Sequence, residues 1–305
     1  MAYRFRAGDR SVERAVRRIA REQIDGALSA IDTQGGDVAT HEVRKACKKI
    51  RALVRLVRPG FAGYARENTE FREIAGLLAG ARDAKVLLDT FDLLMTDAPD
   101  PGPFVPLREQ IAPEATGALQ GETGADRLGQ ARALLKAARK RVDNWTLEGA
   151  DRDVLGAGLG KVLRKARGAA RTVENEPSAL HYHELRKLMK YHWYHVRLMM
   201  PIWPEMMRPL AGELSRLADM LGLHHDVCVL EERLGSLPPG SAHAGAGQAL
   251  LKLAGRRRVR LERQIAPLSA RLLAQPVDAV VDHWQALWRI WRAGCAEARG
   301  KRQGG

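Results

Sequence analysis

Residues 41–58 read HEVRKACKKIRALVRLVR, and residues 183–200 read HELRKLMKYHWYHVRLMM. At an offset of 142, eight of these eighteen positions are identical: His41/His183, Glu42/Glu184, Arg44/Arg186, Lys45/Lys187, Lys48/Lys190, Val54/Val196, Arg55/Arg197 and Leu56/Leu198. A second block follows each copy. Ala81-Arg82-Asp83-Ala84-Lys85-Val86-Leu87-Leu88 answers His224-His225-Asp226-Val227-Cys228-Val229-Leu230-Glu231, at an offset of 143. Two blocks in the same order at nearly the same separation mark an internal duplication of one helical unit.

The first copy is amphipathic at helical spacing. At roughly 100° per residue, His41, Arg44, Lys48, Arg51 and Arg55 share an arc of about 80°. Val43, Cys47, Ile50, Val54 and Val57 share the opposite arc, so one face is expected to pack and the other to present cations along roughly 20 Å. The second copy keeps His183, Arg186, Lys190 and Arg197 in the same places, while Tyr191 replaces Lys49 and Trp193 replaces Arg51. His192 takes the position of Ile50, which predicts a core histidine. Like charges on one arc repel by about 0.2–0.5 kcal/mol per adjacent pair when solvated. A ladder with no acid inside its arc points to an anion that relieves this repulsion. Arginine offers phosphate a forked contact, lysine a point charge, and histidine a donor whose protonation an anion favours.

Outward from the two copies, nearly every long segment has helical periodicity and none alternates as a strand does, so the chain is expected to be all-α. Ser11 can cap a first helix that ends near Gly35-Gly36, and Thr40 can cap the next, which Pro59-Gly60 stops. Further helices are predicted from about Ala65 to Leu78, Asp83 to Met95, around 107–118, and Asp126 to Val142, with a proline-rich loop at 97–106. The second half repeats the order: a helix at 153–173, the second basic helix up to Pro201, Pro204 to Leu221, Asp226 to Leu234, a loop at 237–247, and closing helices at about 247–273 and 277–297. A length of 305 residues accommodates two domains. Their boundary is placed in the polar stretch near 146–152, which gives an N-terminal unit at 1–148 and a C-terminal unit at 149–305.

Lysine and arginine number 50 against 36 aspartates and glutamates, a net charge of +14. That surplus favours a polyanionic partner: nucleic acid, an acidic surface or a chain of phosphates. No apolar run is long enough to cross a membrane, and the first residues lack the apolar stretch of a secretory signal. The three cysteines (Cys47, Cys228 and Cys295) are odd in number and lack metal-ligand spacing, which suits a reducing cytoplasm. Cys47 on the apolar arc reads as an inert buried thiol. Trp284, Trp288 and Trp291 recur at helical spacing and read as core.

The Arg82-Asp83 and His225-Asp226 pairs are expected to begin helices, where aspartate caps well and where Arg82 and His225 could help hold an anion. Other cationic sets at helical spacing could line the same region: Arg14, Arg17 and Arg21; Lys161, Arg164 and Arg167; Arg256, Arg257 and Arg260. His181, His183 and His224-His225-Asp226 together could instead ligate a divalent metal.

The pattern His41-x-x-Arg44-x-x-x-Lys48-Lys49-x-Arg51-x-x-x-Arg55, its partial copy His183-x-x-Arg186-Lys187-x-x-Lys190, and the two blocks that follow resemble the CHAD family, the conserved histidine α-helical domain. The resemblance spans about Val12 to Ala296. It implies two pseudo-symmetric four-helix bundles whose basic helices meet at a central positively charged cavity. It also implies binding of inorganic polyphosphate and localisation to cytoplasmic polyphosphate granules. By position, the contacts would be His41, Arg44, Lys48, Arg51, Arg55, His183, Arg186, Lys190 and Arg197. Lys45, Lys49, Lys187, Arg82, His225, Arg17, Lys161 and Arg164 stand as further candidates nearby. The acidic-and-lysine strand motif of the triphosphatase domain that often accompanies this family is missing, so the chain reads as a stand-alone version.

The expected function is therefore non-enzymatic binding of polyphosphate, with no cofactor or metal. Polyphosphate-metabolising enzymes and a second copy of the chain are conceivable partners, and a membrane is not. Two alternatives belong to other classes. A His-Asp metal-dependent phosphohydrolase would use the histidines above. A nucleic-acid binder would exploit the charge, but the chain has few aromatic residues for stacking and no helix-turn-helix or zinc module.

Overall fold

The structure, a computed structural model, describes residues 3–117, 122–237 and 244–303. Within these it does not describe the side chains of 80–83, 113–117, 122–123 and 298–303. The fold is all-α, with no strand among the described residues. In chain order the helices are α1 Val12–Thr33, α2 Gly36–Leu56, α3 Tyr64–Leu77, α4 Gly80–Thr96, α5 Val105–Gly117, α6 Glu122–Val142, α7 Asp151–Asn175, α8 Ala179–Met199, α9 Pro204–Gly235, α10 Ala244–Leu272 and α11 Val277–Gln303.

Ser11 and Ser178 cap α1 and α8, each accepting from the backbone N–H three residues on, at 3.2 Å. These bonds satisfy one of the orphan donors of a helix start. Two expectations fail. Thr40 is not a cap, because α2 already begins at Gly36 after Gly35. The helices expected at 204–221 and 226–234 are one continuous α9, so His225 and Asp226 lie mid-helix rather than at a start. Gly222 does not break it, and its missing side chain is used for packing instead. In the first half the corresponding stretch is divided, α3 ending at Leu77 and α4 beginning at Gly80.

Neighbours repeat in the same order. Helix α1 packs on α2 and α6, α2 on α3, and α4 on α5. Correspondingly α7 packs on α8 and α11, α8 on α9, and α9 on α10. The halves meet where α2 packs on α7 and α8, and where α4 packs on α9 and α10. The expected apolar arc of α2 is buried throughout: Val43, Cys47, Ile50, Val54 and Val57. So are His192, Trp284 and Trp288, as read from the sequence.

The apolar interior is continuous across residue 148. One core joins Ile19, Ile50 and Leu53 to Leu159, Met189, Val196 and Leu214, and a smaller one joins Phe91, Leu94 and Leu107 of α4 and α5 to Val227, Leu230 and Leu250 of α9 and α10. The polar connector is itself tied down. Trp145 packs on Phe61 with ring centroids 5.1 Å apart, and the Glu148 N–H donates to Gly60 O at 2.8 Å.

Two features fix how α2 lies beside α8. The His195 Nε2–H donates to Ala52 O at 3.0 Å in a fully buried contact. The N-terminal segment then straps both helices: the Phe5 N–H donates to Leu198 O at 3.0 Å, and the Tyr3 hydroxyl donates to Lys49 O at 2.7 Å. Helix α7 crosses closely beneath, where a methyl group on Gly158 would fall 1.6 Å from Leu56 O.

Candidate functional site: a cationic cleft between α2, α8 and α9

The two basic helices face one cleft. It has a volume of about 590 Å³ and three walls. Helix α2 supplies His41, Lys45, Lys48, Lys49 and Arg51. Helix α8 supplies Arg186, Lys187, Lys190, Tyr191, Trp193, Tyr194 and Arg197. Helix α9 closes the third side with Ala218, Asp219, Gly222, Leu223 and Asp226. The volume suits a ligand site. Eight lysines and arginines against two aspartates make it strongly positive.

Nine of the expected residues line this cleft: His41, Lys45, Lys48, Lys49, Arg51, Arg186, Lys187, Lys190 and Arg197. Others on the same helices have turned to the flanks. Arg44 Nη1 donates to Ala75 O of α3 at 3.1 Å. Arg55 Nη2 donates to Asn68 Oδ1 at 3.2 Å, and the guanidinium lies 4.2 Å from the Tyr191 ring centroid. Arg51, at the cleft margin, donates to the same Asn68 Oδ1 at 3.3 Å. His183 and His225 pack together with ring centroids 4.5 Å apart, beside the cleft rather than on its lining.

Three expected residues stand elsewhere. Arg17 donates to Trp145 O at 2.6 Å and pairs with Glu13. Lys161 is exposed on α7, which does not wall the cleft, and Arg164 pairs with Asp278 at 3.1 Å in a separate groove between α7 and α11. The Arg82 side chain lies outside the described residues. The Asp83 side chain does too, so the reading of Arg82-Asp83 as an anion-holding pair falls there as well.

The electrostatics are those of crowded cations. Burial pushes the Lys49 ammonium down to about 8, helped by repulsion from Lys45 and Arg197. Its ammonium is held by Gln23 Oε1 at 2.8 Å, a neutral partner. Burial also lowers Lys190, with Arg186 and Arg197 adding to the effect and Asp219 opposing it. His183 falls to about 4 through burial, His225, Lys187 and Arg186. Lys45 and Lys187 are each paired with the glutamate three residues earlier, Glu42 and Glu184, so both copies carry the same local neutralisation.

The substitutions in the second copy have visible uses. Trp193 lies under two cations, Lys190 Nζ at 4.1 Å and Arg197 Cζ at 4.6 Å from its ring centroid. Tyr191 does the same for Arg55 of the other helix. Such contacts are worth about 0.5–2 kcal/mol according to exposure. Trp193 therefore holds two cations in place on the cleft wall, and Tyr191 holds Arg55 at its flank.

Sequence reasoning missed the third wall. Asp219 and Asp226 lie seven residues apart, two helical turns, and only an unbroken α9 puts both on one face. Among the described residues, no group of three histidine, cysteine or carboxylate side chains converges as metal ligands. His224 Nε2 contacts Glu262 Oε1 at 3.0 Å, and His181 Nδ1 contacts Glu176 O at 2.5 Å.

The family model of the CHAD domain matches residues 12–235. Among solved structures, the crystal structure of the CHAD domain from the plant Ricinus communis is similar, with a TM-score of 0.62 and 16% sequence identity. The match covers 91% of this chain and 98% of that one. At that identity the likeness speaks for the fold alone. A search of curated proteins gives no match.

Proposed function

The chain belongs to the CHAD family, and from that premise we propose that it binds inorganic polyphosphate in the cleft without transforming it. The observation that carries this reading is the convergence of two duplicated basic helices on one hollow, with eight lysines and arginines lining it. A linear chain with a charge on every unit can meet both helices at once, which raises the effective concentration of the second contact once the first has formed. Lys49 and Lys190, held below their ordinary lysine range, gain from any anion that enters. Association with polyphosphate granules, and with enzymes that make or consume the polymer, forms part of the same reading.

The two alternatives fit the geometry less well. A nucleic acid would seek free aromatic faces for its bases, whereas the Trp193 and Tyr191 rings carry cations. A metal-dependent phosphohydrolase would need its histidines poised together. Instead His224 is engaged by Glu262, and His183 sits beside Arg186 and Lys187, whose positive charges repel a metal ion.

The test is titration with polyphosphate of defined length at 50 and 200 mM salt, with double-stranded DNA of equal phosphate content as competitor. Affinity should fall on the order of 10³-fold between the two salts, by analogy with DNA-binding proteins that make several phosphate contacts. Recovered polyphosphate should be unshortened. DNA that outcompetes polyphosphate, or phosphate released in proportion to the protein, would overturn the proposal.

A further inference from the structure

The cleft is not uniformly positive, and its one acidic wall is asymmetric between the copies. Asp219 and Asp226 line it from α9, with Gly222 between them. Gly222 is buried, and a methyl group there would lie 3.7 Å from Arg186 Nε. Arg186 thus lies against α9 beside Gly222, and Lys190, one turn further along α8, lines the same cleft as Asp219, whose charge opposes the lowering of its pKa. At the offset of 143 that aligns the second repeated block, Asp219 corresponds to Gly76. The first copy therefore has a glycine at the position where the second has a carboxylate.

We infer that Asp219 is an affinity-determining residue, a carboxylate on the same cleft lining as Arg186 and Lys190 whose negative charge opposes an entering phosphate chain. This rests on the reading of the cleft as a polyphosphate site and adds a division of labour to it. The α2 side, without an acid at this position, meets an entering phosphate without that opposition. The α8 side meets it against an internal competitor. Specificity gains from such a repulsive element, because a ligand must offer enough charge to outweigh it. A polymer charged on every unit, lying along both helices, does so, while a single small anion at the α8 wall does not.

The test compares wild type, Asp219→Asn and Glu213→Gln by titration with long-chain polyphosphate over a series of salt concentrations. Glu213 pairs with Arg216 on the same helix and does not line the cleft, so its variant removes one negative charge elsewhere. Asp219→Asn should bind about two- to fivefold more tightly, the size of effect expected of one exposed charge. Its plot of log affinity against log salt should also steepen by up to about one, because the cleft then presents one more uncompensated positive charge to the chain. Glu213→Gln should match wild type. A binding wild type with an Asp219→Asn variant that is unchanged or weaker would overturn the inference while leaving the polyphosphate reading intact. A gain equal to that of Glu213→Gln would overturn it too, as an effect of net charge alone. If neither wild type nor variant binds polyphosphate, the reading of the cleft itself fails, and this inference with it.

Discussion

Lys49 carries a charge that is in play near neutral pH, because burial, Lys45 and Arg197 bring it down to about 8. An anion in the cleft favours the protonated form and so raises that value. Binding therefore takes up protons, and affinity should fall as pH rises through 8. Titration at pH 6.5 and 9 should show tighter binding at the lower pH, and Lys49→Gln should flatten the difference; a wild type indifferent to pH would contradict the environment assigned to Lys49. A second titration acts on stability. His192 and His195 are buried and held neutral at about 4 and about 3, both through desolvation. Their folded values lie below the unfolded value of about 6.5, so the stability they contribute is complete above that pH and is lost as pH falls. Each should cost about 2 kcal/mol between pH 7 and 5. His195→Gln can still donate to Ala52 O, and should lose about 2 kcal/mol less than wild type over that range in urea unfolding. Equal losses would show that His195 is not the titrating group. The identity of the cations was legible in the sequence, as was the burial of His192. Their partners were not: a helical wheel gives a direction, while Asn68 and the Ala75 carbonyl, which draw off Arg55 and Arg44, belong to a helix that the wheel does not contain.

Helix α8 shows what duplication followed by divergence does to an element. Where the first copy has Arg51, the second has Trp193, and the indole carries Lys190 and Arg197 on its ring. Trp193→Ala should weaken polyphosphate binding about two- to tenfold by releasing both cations, with Trp193→Phe intermediate, in the same titration. An alanine variant as tight as wild type would reduce the indole to filler. Helix α7 makes a different demand. Glycine-to-alanine changes inside a helix ordinarily favour it by about 1 kcal/mol. At Gly158 the added carbon would meet Leu56 O, so Gly158→Ala should instead destabilise by about 2–3 kcal/mol as α7 moves off α2. The urea midpoint measures this directly, and a stabilised variant would mean that the crossing is looser than described. Most helices could be read from periodicity and caps, because local spacing dictates them. The failure at α9 is instructive: Gly222-Leu223-His224-His225 looks like a break, but packing on α8 and α10 carries the helix through it. That tertiary override is what brings Asp219 and Asp226 onto the cleft.

In the whole molecule, which carries a net charge of +14, the fold gathers eight lysines and arginines against two aspartates on one cleft. The duplicated pattern announced two helices that should share a ligand, and the structure sets them side by side with a hollow between. The sequence could not tell that the apolar interior runs across the expected boundary near 148, since a polar connector looks the same whether or not its ends are tied to Gly60 and Phe61. The cleft itself can be tested with one double variant, Lys48→Glu with Lys190→Glu, which reverses one cation on each facing helix. Titrated with long polyphosphate beside wild type at equal salt, and with its helical circular dichroism unchanged, the variant is expected to lose binding. If it instead binds the polymer as tightly as wild type, the ligand lies elsewhere and the facing helices are not its site.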